Sequence, residues 1–469
     1  MKIYIQLLFL ISSIFFLQTK GFCQTNQQFS LIELQQDFNV LRNRLEKSLA
    51  NLYLYNSKIE LTKTFDSLYS NLKPMTALEF YNYITPLCSK IKDGHSVILS
   101  DLKTRNSNYQ YANYFPFDIF FNGEKLFIQK NLSGDLSIIE GTEILSINKI
   151  NTTVLLKYLL ERMVRDGDNE NYPEWILNNY FNIYYGFSFG HPDKFEFELR
   201  EVNGSTTSKT IDALPISTIN QNRNARYAQH FSMKRSGDAI YLESIDSIKT
   251  SVLTIKSWDN SLLKNKYHQH FKKEIKNAMN EVLKKNPENI IIDLRNNQGG
   301  NAENGIYLLS YLMNQKFEYV KTVKKLICNT DTSQILKSIT NSSFTQTGNP
   351  QKNIYSGKLY VLTNGGSFSN SGIFCSRIKF YNRGKIIGEE TGGNSTVFSG
   401  QFGGSTILPN TKIACYNSNY QIVIADVKNN TGHGVIPDYK ISPTIGDIIS
   451  NNDVILNFTL ALIKKKQNR

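Results

Sequence analysis

The segment from Val361 to Asn394 constrains the fold of this chain most, because it places a strand, a tight turn and a helix in quick succession. A β-rich run, KLYVLT, leads into a turn at Asn364–Gly366, and a serine-rich step opens an amphipathic stretch that extends to about Tyr381. This order predicts a helix with Ser369 at its mouth. There the backbone N–H groups and the helix dipole can stabilise a developing oxyanion. The alternative is that Ser369 only caps the helix.

A second glycine-rich step follows another strand. Ile290–Ile292 is a continuous apolar run, which is typical of a strand buried on both faces. It leads into residues 293–300, DLRNNQGG, and then into a predicted helix over residues 303–313. Paired glycines let backbone N–H groups approach a reacting carbonyl without a Cβ clash. The structural alternative is an ordinary glycine-rich turn between strand and helix.

The hydrophobic pattern divides the chain into regions of different character. Apolar residues at helical spacing predict an N-terminal helical region over residues 25–107, including one helix over residues 77–91. Residues 110–215 change to strand patterns, and residues 217–233 read as a polar linker. An α/β pattern then covers residues 235–465 and includes a long helix over residues 262–284.

Composition and the N-terminus indicate an exported globular protein. The 469 residues are 40% hydrophobic and 20% charged, and the net charge is +13. The basic residues are scattered and not interleaved with aromatic residues, which disfavours nucleic-acid binding. Lys2 and the apolar run after it predict a signal peptide over residues 1–23. Phe22 disfavours lipid attachment at Cys23, and no later apolar stretch is long enough to span a bilayer.

Five motifs in order resemble those of the C-terminal processing (tail-specific) peptidases and their tricorn-core relatives. Residues 364–373 resemble the run N-G-x-[ST]-A-S-A-x-E-I, which places Ser369 at the nucleophile position, and GEETGG at 388–393 completes this element. The other motifs are DGHS at residues 93–96, the PDZ-like IEGTEILSIN at 139–148, DLRNNQGG at 293–300 and GHGVIPD at 432–438. The resemblance implies a multidomain α/β fold. It would comprise an N-terminal helical region, a PDZ-like β module and a crotonase-like, ClpP-related serine peptidase domain.

Two positions depart from the pattern of that family. Asn394 occupies the usual position of the catalytic lysine, and Gly372 occupies the position of a glutamate three residues after the nucleophile. A Ser/Lys dyad therefore cannot operate in its usual form. Either another base serves, or the chain is no longer an enzyme.

The tricorn-like branch takes its base from the N-terminal helical region, which implies that His95 deprotonates Ser369. An unperturbed imidazole has a pKa of about 6.5, so it can serve as a base near neutral pH. His433 is the reserve candidate because glycines flank it, and Lys379 or Lys385 would be considered after it.

The same resemblance implies the remaining members of the site. The third catalytic member would be Asp426, with Asp93 and Glu389 as alternatives. The backbone N–H groups of Gly300 and Asn370 would form the oxyanion hole. No metal ion or other cofactor is expected.

These observations predict an exported serine endopeptidase, periplasmic or extracellular, that forms an acyl-enzyme on Ser369. A PDZ-like module binds by adding a strand, so the expected partner is an extended or unfolded polypeptide, engaged in part through its C-terminus. One alternative is an inactive peptide- or ligand-binding protein on the same fold, as the interphotoreceptor retinoid-binding protein illustrates for the family. The other is a hydrolase of non-peptide esters or amides.

Overall fold

The structure is a computed structural model. It describes residues 27–100, 112–227, 237–328, 334–339, 347–400, 404–424 and 430–467. The predicted signal peptide and Asp426 lie outside these ranges. Within these ranges, no helix has both the length and the apolar character needed to cross a bilayer.

The helices of the described residues are α1 (Leu31–Ser48), α2 (Lys58–Ser70), α3 (Ala77–Ile84), α4 (Pro86–Ile91), α5 (Thr152–Leu160), α6 (Asn171–Phe189), α7 (Ile216–Tyr227), α8 (Asn260–Tyr267), α9 (Phe271–Lys285), α10 (Ala302–Ser310), α11 (Asn370–Phe380), α12 (Ile445–Ile449) and α13 (Val454–Gln467). The strands are β1 (Gln28–Phe29), β2 (Met75–Thr76), β3 (Val97–Leu99), β4 (Asn113–Tyr114), β5 (Phe117–Phe121), β6 (Leu126–Asn131), β7 (Glu143–Ile147), β8 (Ile150–Asn151), β9 (Lys194–Arg200), β10 (Thr206–Asp212), β11 (Leu214–Pro215), β12 (Ile240–Ile245), β13 (Thr250–Ile255), β14 (Asn289–Asp293), β15 (Phe317–Glu318), β16 (Val320–Cys328), β17 (Gln334–Ile339), β18 (Thr347–Gly348), β19 (Lys358–Thr363), β20 (Lys385–Gly388), β21 (Val397–Gly400), β22 (Ser405–Ile407), β23 (Ala414–Tyr416), β24 (Tyr420–Ile424) and β25 (Tyr439–Lys440).

Contacts between residues divide the chain into two compact units. Unit 1 comprises residues 1–164, 176–231 and 401–419, and unit 2 comprises residues 165–175, 232–400 and 420–469. Unit 1 contains helices α1 to α4 and a sheet with the strand order β10-β9-β7-β6-β5, in which β8 pairs with β7. The motif GTEILSIN forms β7 and the turn into β8, and the side chain of Asn151 caps the following helix, α5.

Unit 2 is built on a six-stranded sheet with the order β12-β13-β14-β19-β20-β25. Strand β12 pairs antiparallel with β13, and the later pairs are parallel. Ile290 and Ile292 belong to the hydrophobic core on one face of β14, while Ile291 belongs to the core on the other face. The prediction of a strand buried on both faces is therefore confirmed, and it places helices on both sides of a parallel sheet.

Two of the predicted helices are each divided into two shorter helices. The predicted helix over residues 77–91 is divided into α3 and α4, because Pro86 begins α4 at a position where the missing N–H costs nothing. Lys92, with φ of 61°, ends α4. The predicted helix over residues 262–284 is likewise α8 and α9, separated at His268, where φ is 53°.

The prediction of a polar linker over residues 217–233 was wrong for most of these residues. Residues Ile216–Tyr227 form α7, and Ile219 is buried. The helix is mostly polar, so its sequence lacks the apolar stripe by which amphipathic helices are recognised. Packing of Ile219 with Tyr114 and Leu132 stabilises it instead.

The Arg295 side chain connects the carboxyl end of β14 to the start of α13. Its guanidinium donates two hydrogen bonds to Asp453, of 2.6 and 2.8 Å. It also contacts both oxygens of Asp293, the shortest distance being 2.6 Å. The charges of the two aspartates raise the pKa of Arg295 although burial opposes this. This arginine thus holds two carboxylates that would otherwise repel each other.

We expect Arg295→Met to lower the free energy of unfolding by about 3 kcal/mol, since it leaves two largely buried carboxylates without their cation. The matched control is Lys249→Met, which breaks the exposed ion pair with Glu288 and should cost less than about 1 kcal/mol. Urea denaturation of both variants measures the difference. Equal shifts would show that Arg295 contributes no more than a surface ion pair.

Candidate active site

Three segments of the sequence motifs follow the carboxyl ends of three neighbouring parallel strands. Residues 294–300 follow β14, residues 364–369 follow β19, and residues 389–394 follow β20. Loops at the carboxyl ends of parallel strands share one edge of the sheet, which is where ligands bind in open α/β folds. The topology therefore brings residues about 100 positions apart in the chain to one place.

Ser369 lies at a strained turn at the mouth of α11. Its φ is 54° and its ψ is −117°, a combination that a non-glycine residue rarely adopts. Its hydroxyl makes no capping hydrogen bond to the first turn of α11. Ser369 is partly exposed, whereas Phe368 and Asn370 on either side are buried. The alternative that Ser369 is an ordinary helix cap therefore does not describe this turn.

The other two serines of the turn have structural hydrogen bonds. The Ser367 hydroxyl donates to the Leu294 carbonyl at 2.8 Å, and the Ser371 hydroxyl donates to the Asn297 carbonyl at 2.7 Å. Both serines are fully buried. Ser369 is therefore the serine of this turn that a substrate can reach.

Asn297 connects the DLRNNQGG loop to its surroundings. Its side-chain amide donates to the Ile255 carbonyl at 2.8 Å and accepts from the Gly299 N–H at 3.0 Å. Its backbone carbonyl accepts from the Phe368 N–H at 3.1 Å. The side chain of Asn297 is fully buried. One residue thus sets the position of the glycine pair relative to the serine turn.

The two glycines of this loop let its backbone lie directly against the Ser369 turn and against Asp259. A Cβ on Gly299, where φ is 99°, would lie 2.8 Å from the Cβ of Ser369 and 2.9 Å from the backbone nitrogen of Asn370. A Cβ on Gly300, where φ is 136°, would lie 2.4 Å from the nitrogen of Asp259. The predicted oxyanion residues Gly300 and Asn370 thus belong to segments that touch at Ser369. Gly300 is exposed, so its backbone is open to a ligand.

The side chain of Asn370 holds the first turn of α11. Its amide nitrogen donates to the Asn301 carbonyl at 2.8 Å, and its amide oxygen accepts from the Tyr319 hydroxyl at 2.8 Å. The residue is buried, and these bonds fix the direction of its backbone. In the described part of the chain, neither the Gly300 nor the Asn370 backbone N–H donates to a protein acceptor.

The positions that depart from the family pattern have distinct surroundings. The Asn394 amide oxygen accepts from the N–H and the hydroxyl of Thr396, and its nitrogen donates to Asn430 at 2.7 Å. Asn394 is therefore a buried turn residue, and its side-chain amide cannot act as a base. A Cβ on Gly372 would have the Thr391 hydroxyl as its nearest neighbour, at 3.9 Å, so space for a side chain remains there.

The reserve candidate His433 has a carboxylate partner that sequence reasoning missed. Its Nδ1 lies 3.3 Å from Oε1 of Glu390, and its side chain is 44% exposed.

Two further candidates have ordinary structural surroundings. Burial raises the pKa of Glu389, the alternative for the third catalytic member, and hydrogen bonds from Ser442 and the Gly365 backbone oppose that rise. The Asp438 carboxylate pairs with Lys385 at 3.0 Å.

His95 lies in unit 1, in the loop between α4 and β3. Asp93 accepts hydrogen bonds from the His95 backbone N–H and from the Ser96 hydroxyl, both at 3.0 Å, so its carboxylate shapes this loop. Burial lowers the pKa of His95 to about 3. The expectation of an unperturbed imidazole was therefore wrong, because position in the sequence does not reveal how fully a side chain is buried.

Ser369, Gly300 and Asn370 meet in unit 2, whereas His95 belongs to unit 1 and Asp426 lies outside the described residues. Residues 165–175 form a polar and aromatic segment that packs within unit 2, and no sequence motif predicted its place there. Its composition, RDGDNENYPEW, contains Asp-Gly and Asn residues typical of turns, followed by aromatic residues. That signal predicts an ordered loop but not the neighbour it contacts.

The strained serine turn and the glycine pair beside it both lie in a region of the chain that matches a known protein family. Residues 249–441 match the family model described as Peptidase family S41. That region is therefore similar to this family, which confirms the resemblance seen in the motifs.

The curated relatives carry the name "Probable CtpA-like serine protease". The protein of Staphylococcus aureus (strain N315) is 28% identical over 176 residues, which are 37% of this chain and 31% of that protein. The protein of Staphylococcus epidermidis (strain ATCC 12228) is 25% identical over 221 residues, 46% of this chain and 39% of that protein. The matched region thus spans well under half the length of these relatives.

Solved structures show that the fold extends over nearly the whole chain. Mature CPAF has a TM-score of 0.67 at 15% identity, covering 93% of this chain and 98% of CPAF. Mature CPAF complexed with lactacystin has the same TM-score and identity, covering 99% of that chain. At this identity the likeness concerns the fold alone, and it confirms the predicted multidomain α/β class.

We expect Gly299→Ala to lower hydrolysis by at least about 100-fold while the protein stays folded, since the new methyl group must displace the Ser369 turn. The matched control is Gly372→Ala, which has space for its Cβ and should keep its activity. Turnover of an activated ester by both variants measures the effect. A Gly299→Ala enzyme with the parent's turnover would show that this contact does not set the serine's position.

Proposed function

We propose that the protein is an exported serine endopeptidase that cleaves extended polypeptides through an acyl-enzyme on Ser369. The observation that carries the proposal is the Ser369 backbone, with φ of 54° at the mouth of α11 and the Gly299–Gly300 pair against it. Strain of this kind costs about 1–3 kcal/mol and persists only where the surroundings impose it. Strained residues cluster at active sites, where the strain is part of the mechanism.

In the proposed reaction, the Ser369 hydroxyl attacks the scissile carbonyl carbon and transfers its proton to the imidazole of His95. The carbonyl oxygen becomes an oxyanion and accepts hydrogen bonds from the Gly300 and Asn370 N–H groups. His95 then returns the proton to the leaving amine. Water hydrolyses the acyl-enzyme by the same steps, and Ser369 is regenerated.

The depressed pKa of His95 has two consequences for this role. The imidazole is neutral at every pH near neutrality, so it is always able to accept a proton. The imidazolium formed during attack would, however, be poorly solvated and needs a nearby negative charge. The developing oxyanion and Asp426, the proposed third member, would supply that charge.

The proposed substrate class follows from unit 1. Its sheet ends in the edge strands β5 and β10, and the motif GTEILSIN forms β7 inside it. An edge strand offers unpaired backbone groups that an extended peptide can pair with, and a PDZ-like module uses this mode. We therefore propose unfolded or extended chains as substrates, bound in part by the C-terminus, after export directed by residues 1–23.

The competing function is a ligand-binding protein on the same fold. Two observations favour it: Asn394 stands where the family's lysine would be, and Gly372 stands where its glutamate would be. The retained strain at Ser369 opposes it, because a binding protein has no need of a reactive serine. Covalent labelling separates the two functions.

Ser369→Ala is expected to abolish both hydrolysis of casein and labelling by a fluorophosphonate, because the nucleophile contributes several orders of magnitude to the rate. Ser371→Ala is the matched control, since it removes a hydroxyl two residues away. That hydroxyl accepts from Trp258 and donates to Asn297, so the control should lower stability but leave the labelling stoichiometry unchanged.

Two outcomes would contradict the proposal. Labelling that survives in Ser369→Ala would move the nucleophile to another residue. A parent protein that neither hydrolyses casein or an ester nor takes up the fluorophosphonate would support the binding function.

The pH dependence tests the base. Only neutral His95 accepts a proton, so activity is present above the folded pKa and is lost as pH falls through it. With a pKa of about 3, kcat/KM of the parent should stay flat from pH 8 to about pH 5. His95→Gln should be nearly inactive, while the exposed His268→Asn should keep the parent's profile. A fall in kcat/KM within this pH range would show that a group other than His95 supplies the base.

A further inference from the structure

We propose that residues 165–175, here called the strap, are a positioning element that holds the Ser369 turn in its strained conformation. This inference rests on the proposed function for its effect on catalysis. The strap belongs to unit 2, and its last five residues begin α6. It contacts each of the three loops that follow β14, β19 and β20.

The strap binds the loop after β20 through the side-chain amides of two asparagines. The Asn169 side chain is fully buried, and its nitrogen donates to the Thr391 carbonyl at 2.7 Å and to Oε1 of Glu390 at 3.0 Å. The side-chain nitrogen of Asn171 donates to Oε2 of Glu390 at 3.1 Å. Hydrogen bonds to a carboxylate are stronger than those between neutral groups, so this loop is held firmly against the strap.

Glu390 joins the strap to a fourth segment. Its Oε1 also accepts from the Gly434 N–H at 2.7 Å and lies 3.3 Å from Nδ1 of His433. Next to it, the Asp168 N–H donates to the Gly432 carbonyl at 2.9 Å. The carboxylate of Glu390 therefore receives donors from both the strap and the GHGV segment.

The strap also contacts the residue that replaces the family's lysine. Oδ2 of Asp166 accepts from the Asn394 N–H at 3.2 Å. Beside Asn394, a Cβ on Gly393 would lie 3.4 Å from the Ser369 nitrogen and 3.5 Å from the Asp166 carboxylate. Gly393 thus lies between the strap and the Ser369 turn.

Aromatic rings of the strap cover the serine turn. Tyr172 stacks on Phe368, the residue before Ser369, with ring centroids 4.1 Å apart and an angle of 1° between the rings. Trp175 continues the stack, 6.0 Å from Tyr172. Its indole N–H donates to the Asn296 amide oxygen at 2.7 Å, which joins the loop after β14 to the strap.

The two glycines of the turn allow the strap to come this close. A Cβ on Gly366 would lie 2.3 Å from Nε1 of Trp175, and a Cβ on Gly365 would lie 2.1 Å from the Asn171 carbonyl oxygen. The turn is therefore bounded by the Asn297 loop and by the strap. Removing either boundary should let Ser369 relax from its positive φ, because strain of this size persists only where neighbours impose it.

The test uses the full chain with Tyr172→Ala, which removes the ring stacked on Phe368, and Tyr172→Phe, which keeps it. Tyr355→Ala is the matched control. Tyr355 is as deeply buried, but it precedes the amino end of β19, at the other end of the strand from the serine turn. Three quantities are measured: the rate of fluorophosphonate labelling, kcat and KM for a small ester, and hydrogen exchange of residues 364–372.

The expected result is specific to the turn. Tyr172→Ala should slow labelling and lower kcat by about tenfold or more, with KM within about twofold of the parent, because the nucleophile is misplaced while the binding surface is kept. Exchange at residues 364–372 should accelerate by a similar factor. Tyr172→Phe should restore all three quantities, and Tyr355→Ala should change none of them at temperatures where it is folded.

Glu390→Gln is a second variant of almost identical shape, in case Tyr172→Ala does not fold. It places an NH₂ group where Asn169, Asn171 and the Gly434 N–H donate, and it should accelerate exchange at residues 389–394 and slow labelling. Parent-like labelling and exchange in the folded variants would overturn the proposal. If the parent itself is inert towards the fluorophosphonate, the proposed function fails, and exchange alone then decides whether the strap holds the turn.

Discussion

The buried amide of Asn297 is the interaction on which the rest of the site depends. It ties the end of β13 to the glycine pair through its side chain, and its carbonyl receives the turn that carries Ser369. Because the group is fully buried, breaking one of these bonds would leave a polar group without a partner in a low-dielectric interior. The placement of the proposed oxyanion donors relative to the proposed nucleophile therefore depends on both the side chain and the backbone carbonyl of this residue.

Local patterns were sufficient wherever local forces decide the structure. The apolar run Ile290–Ile292, the glycine turn after β19 and the helix that begins at Asn370 were all predicted from neighbouring residues. The same reasoning was wrong at Pro86 and His268, where single backbone conformations divide a continuous apolar stripe into two helices. It was also wrong at α7, where one buried isoleucine decides the outcome against a polar composition.

What could not be predicted depends on contacts between distant parts of the chain. The stacking of Tyr172 on Phe368 joins residues nearly 200 positions apart, and nothing in either local sequence indicates the partner. The low pKa of His95 has the same origin, since desolvation is a property of the folded surroundings. The site residues were identified from the motif resemblance, and their catalytic roles stay predictions.

The glycines that touch the Ser369 turn have a consequence for protein engineering. A methyl group added at Gly299, Gly365 or Gly366 would overlap neighbouring atoms. At Gly299 these atoms belong to the Ser369 turn, and at Gly365 and Gly366 they belong to the strap. A mutant library directed at these loops would therefore yield mostly variants in which the Ser369 turn is displaced, whatever new specificity was sought. Diversity is better introduced at edge strands β5 and β10, which the proposed function assigns to substrate binding and which are separate from these loops.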